Sequence, residues 1–349
     1  MSAPIGLDIG SSAVRAAQIK HGRQGSELER IGEVDLPAGS VRNGEIVQPG
    51  VVIDAIRHLW KSAKLKGRKV SVGLANQQVV VRRLDLPWMP ESELRASLPL
   101  QVDGLIPIPI EEAVLDFCYL GEREGEDGQR MVRILVIAAL RPMVDEILAV
   151  VRQAKLDPVG IDLNAFAALR AMAPPDVLAD DTAELLIDIG STVTDLVVHQ
   201  NGSPHFVRTV LFGGQNVTRA LAQALDLEHD EAEAAKLELG SPDAVVDADD
   251  PAMEAVGGQT RQLIDEIRSS IDYCAAQRDI PEMTRIVLTG GASQWPGLAD
   301  EMVDQLGLDI TTGSPLHALD NGSGVSDDDL AASAPHLAVA VGLALGAQS

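Results

Sequence analysis

A chain of 349 residues exceeds the length that one hydrophobic core usually serves, so we expect two or more domains. The formal net charge of −24 argues against direct binding to nucleic acid or to an anionic membrane surface. Cys118 and Cys274 lack metal-ligand spacing and favour a reducing compartment. No signal peptide is visible, and the longest apolar runs, at 134–140 and 337–347, are shorter than the roughly 20 residues of a spanning helix. The sequence therefore predicts a cytoplasmic protein without a membrane-inserted segment.

The first half of the chain predicts a βββα order. Short apolar runs separated by turn residues are typical of buried strands. These strands are predicted, in chain order, at 5–9, 14–19, 29–36, 69–74 and 79–86. Pro49 opens a helix with an apolar stripe from Val52 to Ala63.

The second half repeats this order. Its strands and helices are predicted at 185–189, 196–199, 205–211 and 285–289, and at 214–225 and near 296–306. His199 and His205 lie near the first hairpin of this half and fit ordinary strand positions better than metal ligands. The repetition predicts an α/β fold whose two similar halves face each other across a cleft.

A stretch of the first half interrupts this duplication. Residues 84–162 include the strand ILVIAAL and a helix from Pro142 to Ala154. Within the stretch, Ile106-Pro107-Ile108-Pro109 must stay extended, because proline fixes φ and has no backbone donor. This strip is either a docking place for a short peptide of another chain or part of a subdomain core, and the residue types favour the core.

One short phrase opens each half, as IGLDIGSSAVR at 5–15 and LLIDIGSTVTD at 185–195. A hairpin of this kind turns backbone N–H groups inward and forms a concavity for phosphate oxygens. Gly10 and Gly190 permit a close backbone approach. Hydroxyl donors follow in both copies: Ser11, Ser12, Ser191 and Thr192. A single copy would be an ordinary turn, but two copies in matching strands predict a clamp on the β- and γ-phosphates of a nucleotide.

The two phrases also carry one aspartate each at the strand end. Asp8 and Asp188 would repel phosphate directly, but they can hold a hydrated Mg²⁺ that bridges the phosphates. Asp188 is the candidate to orient a water toward the γ-phosphate, since catalysis of this kind is mostly positioning.

A third element reads IVLTGGAS at 286–293. A buried strand that runs into Gly290-Gly291 and then a helix lets a flat base lie against the backbone. Other nucleotide and metal chemistries have no motif, because the sequence contains no G-x-x-x-x-G-K-[ST], no G-x-G-x-x-G after a strand and no H-E-x-x-H.

Together the three elements resemble the actin-like ATPase superfamily, which has ribonuclease H-like duplicated βββα lobes. The resemblance implies Mg-ATP as the ligand. It also implies nucleotide-binding roles for further residues, namely Arg15, Asp195, Gly213, Gly214, Asn216, Glu233 and Lys236. Arg15 is equally explained as a surface residue, and Glu233 with Lys236 as an i,i+3 ion pair on a helix.

The interrupting stretch resembles the PilM family of this superfamily. It reads RRLDLPWMPESELRASLPLQVDGLIPIPIEEAVLDFCYLG, with a strand ending in Leu-Pro, then Met-Pro-Glu-x-Glu-Leu, a helix, Ile-Pro and Glu-Glu-Ala-x-x-Asp. Its continuation is similar to PilM and more loosely to FtsA. The chain is thus identified as an actin-like protein with a PilM/FtsA-type inserted subdomain.

The PilM resemblance implies a cytoplasmic, ATP-binding adaptor and scaffold of type IV pilus assembly. Its partner would be the cytoplasmic N-terminal peptide of a PilN-type bitopic protein, which recruits the adaptor to the inner face of the cell membrane. Contact with the pilus motor ATPases and self-association are left open. The nucleotide is expected to act as a conformational ligand, with slow or negligible ATPase activity.

Two alternatives remain at this point. An FtsA-like cell-division protein is disfavoured because the sequence ends in GLALGAQS, without the amphipathic membrane-binding helix of FtsA relatives. A small-molecule kinase of the same fold would need a base and a polar substrate pocket, and no motif indicates either.

The resemblance also predicts the division into units. The first actin-like lobe is expected at 1–83 with 163–184 and 330–349. The inserted subdomain is expected at 84–162, and the second actin-like lobe at 185–329.

Overall fold

The computed structural model describes residues 3–22, 25–172, 182–240, 250–277 and 280–346. Within these ranges the strands, in chain order, are β1 (Ile5–Ile9), β2 (Ala13–His21), β3 (Ser26–Asp35), β4 (Val41–Arg42), β5 (Glu45–Ile46), β6 (Lys69–Leu74), β7 (Val80–Pro87), β8 (Ala113–Glu124), β9 (Arg130–Leu140), β10 (Asp157–Leu163), β11 (Thr182–Ile189), β12 (Thr194–Gln200), β13 (Ser203–Val210), β14 (Glu282–Thr289), β15 (Asp309–Thr312) and β16 (Leu319–Asn321). The helices are α1 (Pro49–Ser62), α2 (Glu91–Val102), α3 (Arg141–Gln153), α4 (Asn164–Met172), α5 (Gly214–Leu225), α6 (His229–Leu239), α7 (Pro251–Ala275), α8 (Leu298–Leu306) and α9 (Asp327–Gly346), with a short 3-10 helix at Ile110–Glu112.

The two large sheets repeat one topology. The first has the order β10-β6-β1-β2-β3-β16, and the second has the order β13-β12-β11-β14-β15. In the first sheet β1 pairs antiparallel with β2 and parallel with β6. In the second, β11 pairs antiparallel with β12 and parallel with β14. The duplication that the two phrases indicated is therefore present in the strand order as well.

Alternating side chains give each sheet two buried faces. On the outer face of the first sheet, the apolar side of β1 and β6 packs against α1 and α3. On the outer face of the second sheet, Leu185 and Ile187 pack with α5, α7 and α8. Between the two sheets lie α4 and α9: α9 covers β2 and β3, and α4 covers the second sheet at Leu186 and Val197. Period-two alternation within each strand supplies both faces at once.

The inserted subdomain is a three-stranded antiparallel sheet of order β7-β9-β8, covered on one face by α2. Helix α2 buries Leu94 and Leu98 there, although it contains Pro99. Ile106 and Ile108 of the Ile-Pro-Ile-Pro strip are each 8% exposed and belong to the same core. The interpretation of this strip as core is correct, because both isoleucines point inward.

Helix α3 and strand β10, which follow the three-stranded sheet in the chain, pack with the first large sheet. Strand β10 pairs in parallel with β6, and α3 buries Ile147 and Val151 in the core of the first lobe. A parallel pair requires a long crossover connection, which the three-stranded sheet and α3 provide between β6 and β10. Strand β16, within the range 185–329, likewise pairs with β3 of the first sheet.

Helix α9 lies in the centre of the protein. Its glycine at 342 lies so close to α4 that an added Cβ would be 1.7 Å from the carbonyl oxygen of Ala167. Gly6 of β1 is similarly close, with a Cβ position 1.9 Å from the carbonyl oxygen of Ala340. Of the described helices, α9 alone has the length and apolar composition of a membrane-crossing segment, but 56% of that window is buried inside the protein.

Candidate functional site

The two repeated phrases form two matching hairpins. In the first, Asp8 pairs with Arg15 across β1 and β2, and the N–H of Gly10 donates to the carbonyl of Ala13 at 3.0 Å. In the second, Asp188 occupies the position of Asp8, and Asp195 occupies that of Arg15. The N–H of Gly190 again donates to the third residue on, the carbonyl of Val193, at 2.9 Å. The two hairpins differ in charge, because the position of Arg15 in the first is taken by Asp195 in the second.

The two hairpins meet at one cleft between the lobes. The hydroxyl of Ser11 lies 2.6 Å from that of Thr192, a hydrogen bond across 181 residues of sequence. The space between the atoms of this cleft, including its open mouth, is about 820 Å³. Twelve of the candidate residues line it: Asp8, Gly10, Ser11, Ser12, Arg15, Asp188, Gly190, Ser191, Thr192, Asp195, Gly290 and Gly291.

Three aspartates in the cleft hold their protons unusually strongly. Loss of hydration raises the pKa of Asp8 to about 6, against the opposing effect of Arg15. The same cause raises the pKa of Asp195 to about 6, although Thr209 donates a hydrogen bond to this carboxylate. Asp188 is affected most, since burial and repulsion from Asp195 and Asp8 raise its pKa to about 8. A divalent cation would compensate this repulsion.

These carboxylates fit an ion that keeps its water shell. Among the described residues, no three His, Cys, Asp or Glu side chains are grouped closely enough to ligate a metal directly. Mg²⁺ usually retains several waters and uses few carboxylates. Asp8 and Asp188 can therefore hold Mg²⁺ through water between the two turns.

Arg15 is fixed from three sides. Its Nε and Nη2 each donate to the carboxylate of Glu33 at 3.0 Å. Its Nη1 lies 4.0 Å from Asp8, and Nη2 also approaches His336 of α9. The side chain is only 11% exposed, so Arg15 belongs to the cleft rather than to the outer surface.

The double glycine after β14 lies directly against the second hairpin. Gly290 has φ +91°, and a Cβ there would be 2.4 Å from Oδ1 of Asp188. Its N–H donates to the carbonyl of Pro335 in α9. At Gly291 a Cβ would be 2.9 Å from the ring of His336. At position 290 only glycine permits this approach of the backbone to the cleft, because the φ is positive and a Cβ would be 2.4 Å from the carbonyl oxygen of Ile189.

The remaining candidates lie behind the second hairpin and do not line the cleft. Gly213 is the N-cap of α5 and Gly214 is its first residue. The start of the helix is bonded to that hairpin, since the N–H of Gly214 donates to the carbonyl of Gly190 at 3.0 Å. Asn216 accepts from the N–H of Gly213, and so caps the helix. Its role in the structure is this cap.

Glu233 and Lys236 form the expected ion pair, with 2.7 Å between Nζ and Oε1. The pair is not isolated, because Lys236 also donates to Thr218 at 3.0 Å and approaches the carbonyl of Gly214 at 3.4 Å. Burial acts to raise the pKa of Glu233, but the hydrogen bonds from Lys236 and Thr218, together with the charge of Lys236, lower it overall. Both residues thus connect α6 to the start of α5.

Two polar side chains of the cleft, those of Asn164 and His336, were absent from the sequence prediction. Asn164 begins α4 and lines the cleft, and its Oδ1 is buried without a hydrogen-bond partner among the described residues. His336 also lines the cleft, from α9. The available signal was weak: a polar residue directly after a mostly half-buried or exposed strand, and a single histidine in an apolar helix.

Comparison with known proteins identifies the fold and the family of this chain. The model of the family described as type IV pilus assembly protein PilM matches residues 6–348. A solved PilM-PilN type IV pilus biogenesis complex is 28% identical, with a TM-score of 0.85 and coverage of 99% of both chains. The cell division protein FtsA of Neisseria meningitidis serogroup B is 26% identical over 377 aligned residues, covering 97% of this chain and 88% of that protein.

A more distant structure shares the fold alone. MreB5 of Spiroplasma citri, solved with ADP bound, is 13% identical, with a TM-score of 0.52 and coverage of 98% of this chain and 95% of that one. These similarities confirm the predicted actin-like α/β fold.

Proposed function

Because the chain belongs to the family of type IV pilus assembly proteins named PilM, we propose that it is an ATP-binding adaptor of pilus assembly. It docks the cytoplasmic N-terminal peptide of a PilN-type inner-membrane protein, and this contact holds a cytoplasmic protein at the inner face of the membrane. Support comes from the 28% identical structure, which is a PilM-PilN complex and aligns over 99% of this chain.

The convergence of two similar hairpins on one cleft carries the nucleotide proposal. Ser11 and Thr192 bring both turns within hydrogen-bond distance, so one ligand can accept N–H and hydroxyl donors from both lobes. The glycines and hydroxyl residues of the turns bind the β- and γ-phosphates, and Gly290 and Gly291 support the adenosine. Asp8 and Asp188 hold hydrated Mg²⁺, which neutralises phosphate charge. Glu233 and Lys236 of α6, beside the first turn of α5, reach the nucleoside.

Turnover of ATP is slow or negligible in this proposal. In the free protein the pKa of Asp188 is raised to about 8, and a protonated carboxyl group activates water poorly. Asp188 is the residue that would orient water, and the nucleotide acts mainly by fixing the relation of the two lobes. Fast phosphoryl transfer requires every reacting group, including the attacking water, to be held in position.

The nucleotide site is tested by calorimetric titration of Asp8→Ala with Mg-ATP. We expect binding to be lost while the circular dichroism spectrum and the unfolding midpoint are retained. Asp54→Ala is the matched control, because Asp54 is an exposed aspartate of α1. Unchanged ATP affinity in Asp8→Ala would contradict the assignment.

A groove between the inserted sheet and the first lobe suits the partner peptide. It runs between the edge strands β8 and β10, and its lining is mainly apolar. The lining includes Val114, Leu115, Phe117, Cys118, Ile137, Ile161 and Phe166. Edge strands offer backbone donors and acceptors to an extended peptide, and apolar pockets accept alternate side chains. The N-terminal peptide of a PilN-type protein is the occupant we propose.

The groove is tested with a fluorescently labelled peptide of the N-terminal cytoplasmic segment of the PilN-type protein of the same cell. Ile161→Asp should abolish the rise in anisotropy, because it places a charge in the lining. Val159→Asp, on the same strand but outside the lining and 48% exposed, should bind normally. Equal binding by both variants would exclude this groove.

A cell-division role is the second candidate, since an FtsA protein aligns over 97% of this chain. Affinity capture with and without Mg-ATP separates the two. Recovery of a bitopic pilus protein supports the adaptor, and recovery of a tubulin-like division protein supports the alternative.

We also propose boundaries for the units from their packing. Residues 84–140 form the inserted subdomain, and α3 and β10 belong to the first lobe.

A further inference from the structure

His336 contacts two parts of the cleft that come from different lobes. Its Nδ1 lies 3.3 Å from Nη2 of Arg15, which follows the first hairpin. The edge of the ring that carries Cε1 lies against Gly291, where an added Cβ would be 2.9 Å from Cε1. His336 therefore connects the arginine of one lobe to the double glycine of the other.

The chemistry of this hydrogen bond fixes the state of the ring. A guanidinium can only donate, so Nδ1 of His336 must accept and the ring proton is on Nε2. Burial, and then the nearby charge of Arg15, lower the pKa of His336. Both effects favour the neutral ring that can accept.

Two of the three guanidinium nitrogens of Arg15 are already occupied. Nε and Nη2 bind the carboxylate of Glu33, and Nη2 also donates to His336. Nη1 is directed at the first hairpin, 3.4 Å from the position of a Cβ at Gly10. Within the described part of the chain, its nearest charged partner is Asp8 at 4.0 Å. This nitrogen has donors left for a ligand.

We propose that His336 is a positioning residue, which holds Arg15 so that Nη1 points at the phosphates of the bound nucleotide. The inference rests on the nucleotide site proposed above. Without an acceptor at position 336, Nη2 keeps only the carboxylate of Glu33, which is 37% exposed. The guanidinium then turns toward that outer partner and away from the hairpin.

Asparagine and leucine form a matched pair at this position, because their side chains have nearly the same shape. His336→Asn keeps an acceptor close to the place of Nδ1, and His336→Leu removes it. We expect His336→Leu to weaken Mg-ATP binding roughly five- to tenfold, as for the loss of a charge-assisted hydrogen bond. His336→Asn should bind within about twofold of the wild type, and adenosine affinity should be unchanged in both. In an Arg15→Ala background, His336→Leu should have no further effect.

The outcomes separate this inference from the site on which it rests. If Arg15→Ala weakens Mg-ATP binding and His336→Leu does not, the positioning role is wrong and the nucleotide site stands. Equal loss for ATP and adenosine in His336→Leu would assign the residue a packing role against Gly291 and overturn the inference as well. If the wild type binds no Mg-ATP, the proposed function itself fails, and this inference with it.

Discussion

The hydroxyl oxygens of Ser11 and Thr192 lie 2.6 Å apart, although the two residues are separated by 181 positions in sequence. Each belongs to one copy of the same hairpin, so the hydrogen bond joins the two lobes at their most similar point. The lobes are thus in contact where a shared ligand would have to insert. Phosphate oxygens bound there would accept hydrogen bonds from both hydroxyls and so replace the bond between them.

This contact predicts an energetic coupling between Ser11 and Thr192, which bound nucleotide should remove. In a double-mutant cycle of Ser11→Ala and Thr192→Val, measured by urea unfolding, we expect a coupling of about 1 kcal/mol in the free protein. With saturating Mg-ATP the coupling should fall close to zero, because each hydroxyl then binds phosphate. A coupling that persists at full strength with nucleotide would show that the ligand leaves the pair intact.

The raised pKa values predict how the stability of the free protein depends on pH. Asp188, with a pKa of about 8 against an ordinary 3.8, binds its proton more strongly in the folded than in the unfolded state. Its contribution to stability is complete below pH 3.8 and is lost as the pH rises through 8. In thermal unfolding between pH 6 and pH 9, Asp188→Asn should therefore gain stability over the wild type as the pH rises. Asp54→Asn, at an exposed site, should run parallel to the wild type.

The close approach of α9 to α4 predicts a severe effect at Gly342. Gly342→Ala forces a Cβ to within 1.7 Å of the carbonyl of Ala167, and we expect a loss of about 3 kcal/mol or more in unfolding free energy. Gly50→Ala is the control, since no atom lies within 4 Å of its Cβ position in α1. There alanine should stabilise the helix by about 0.5–1 kcal/mol. Similar midpoints for the two variants in urea would refute the packing argument.

We expect substitution of Lys236 to change the affinities for ATP and adenosine differently from substitution of His336. Its place near the start of α5 supports a nucleoside contact, so Lys236→Met should weaken adenosine and ATP binding by the same factor, roughly fivefold. Lys20→Met, which removes an exposed ion pair with Glu27, should leave both affinities unchanged. A loss of stability without any change in affinity would identify Glu233 and Lys236 as a structural pair alone.

Local signals in the sequence were sufficient for most of the fold. The apolar runs at β1 and β6, and the proline that opens α1, coincide with the observed elements. These elements follow from periodicity and from the fixed φ of proline, which act within a few residues. The helix expected near Pro296 begins only at Leu298, because Gly297 takes a positive φ of +76°.

Long-range packing accounts for what the sequence did not indicate. The apolar stripe of α3 could cover either the inserted sheet or the first sheet, and only the pairing of β10 with β6 decides between them. His336 shows the same limit at the site. Its neighbours Arg15 and Gly291 are brought together by three separate elements, and no spacing in the chain records their distance.

Helix α4 lies between the two proposed binding places. Its first residue, Asn164, lines the cleft, and Phe166, two positions on, lines the β8–β10 groove. Leu74, at the end of β6, lines both. A nucleotide in the cleft and a peptide in the groove would therefore share one wall.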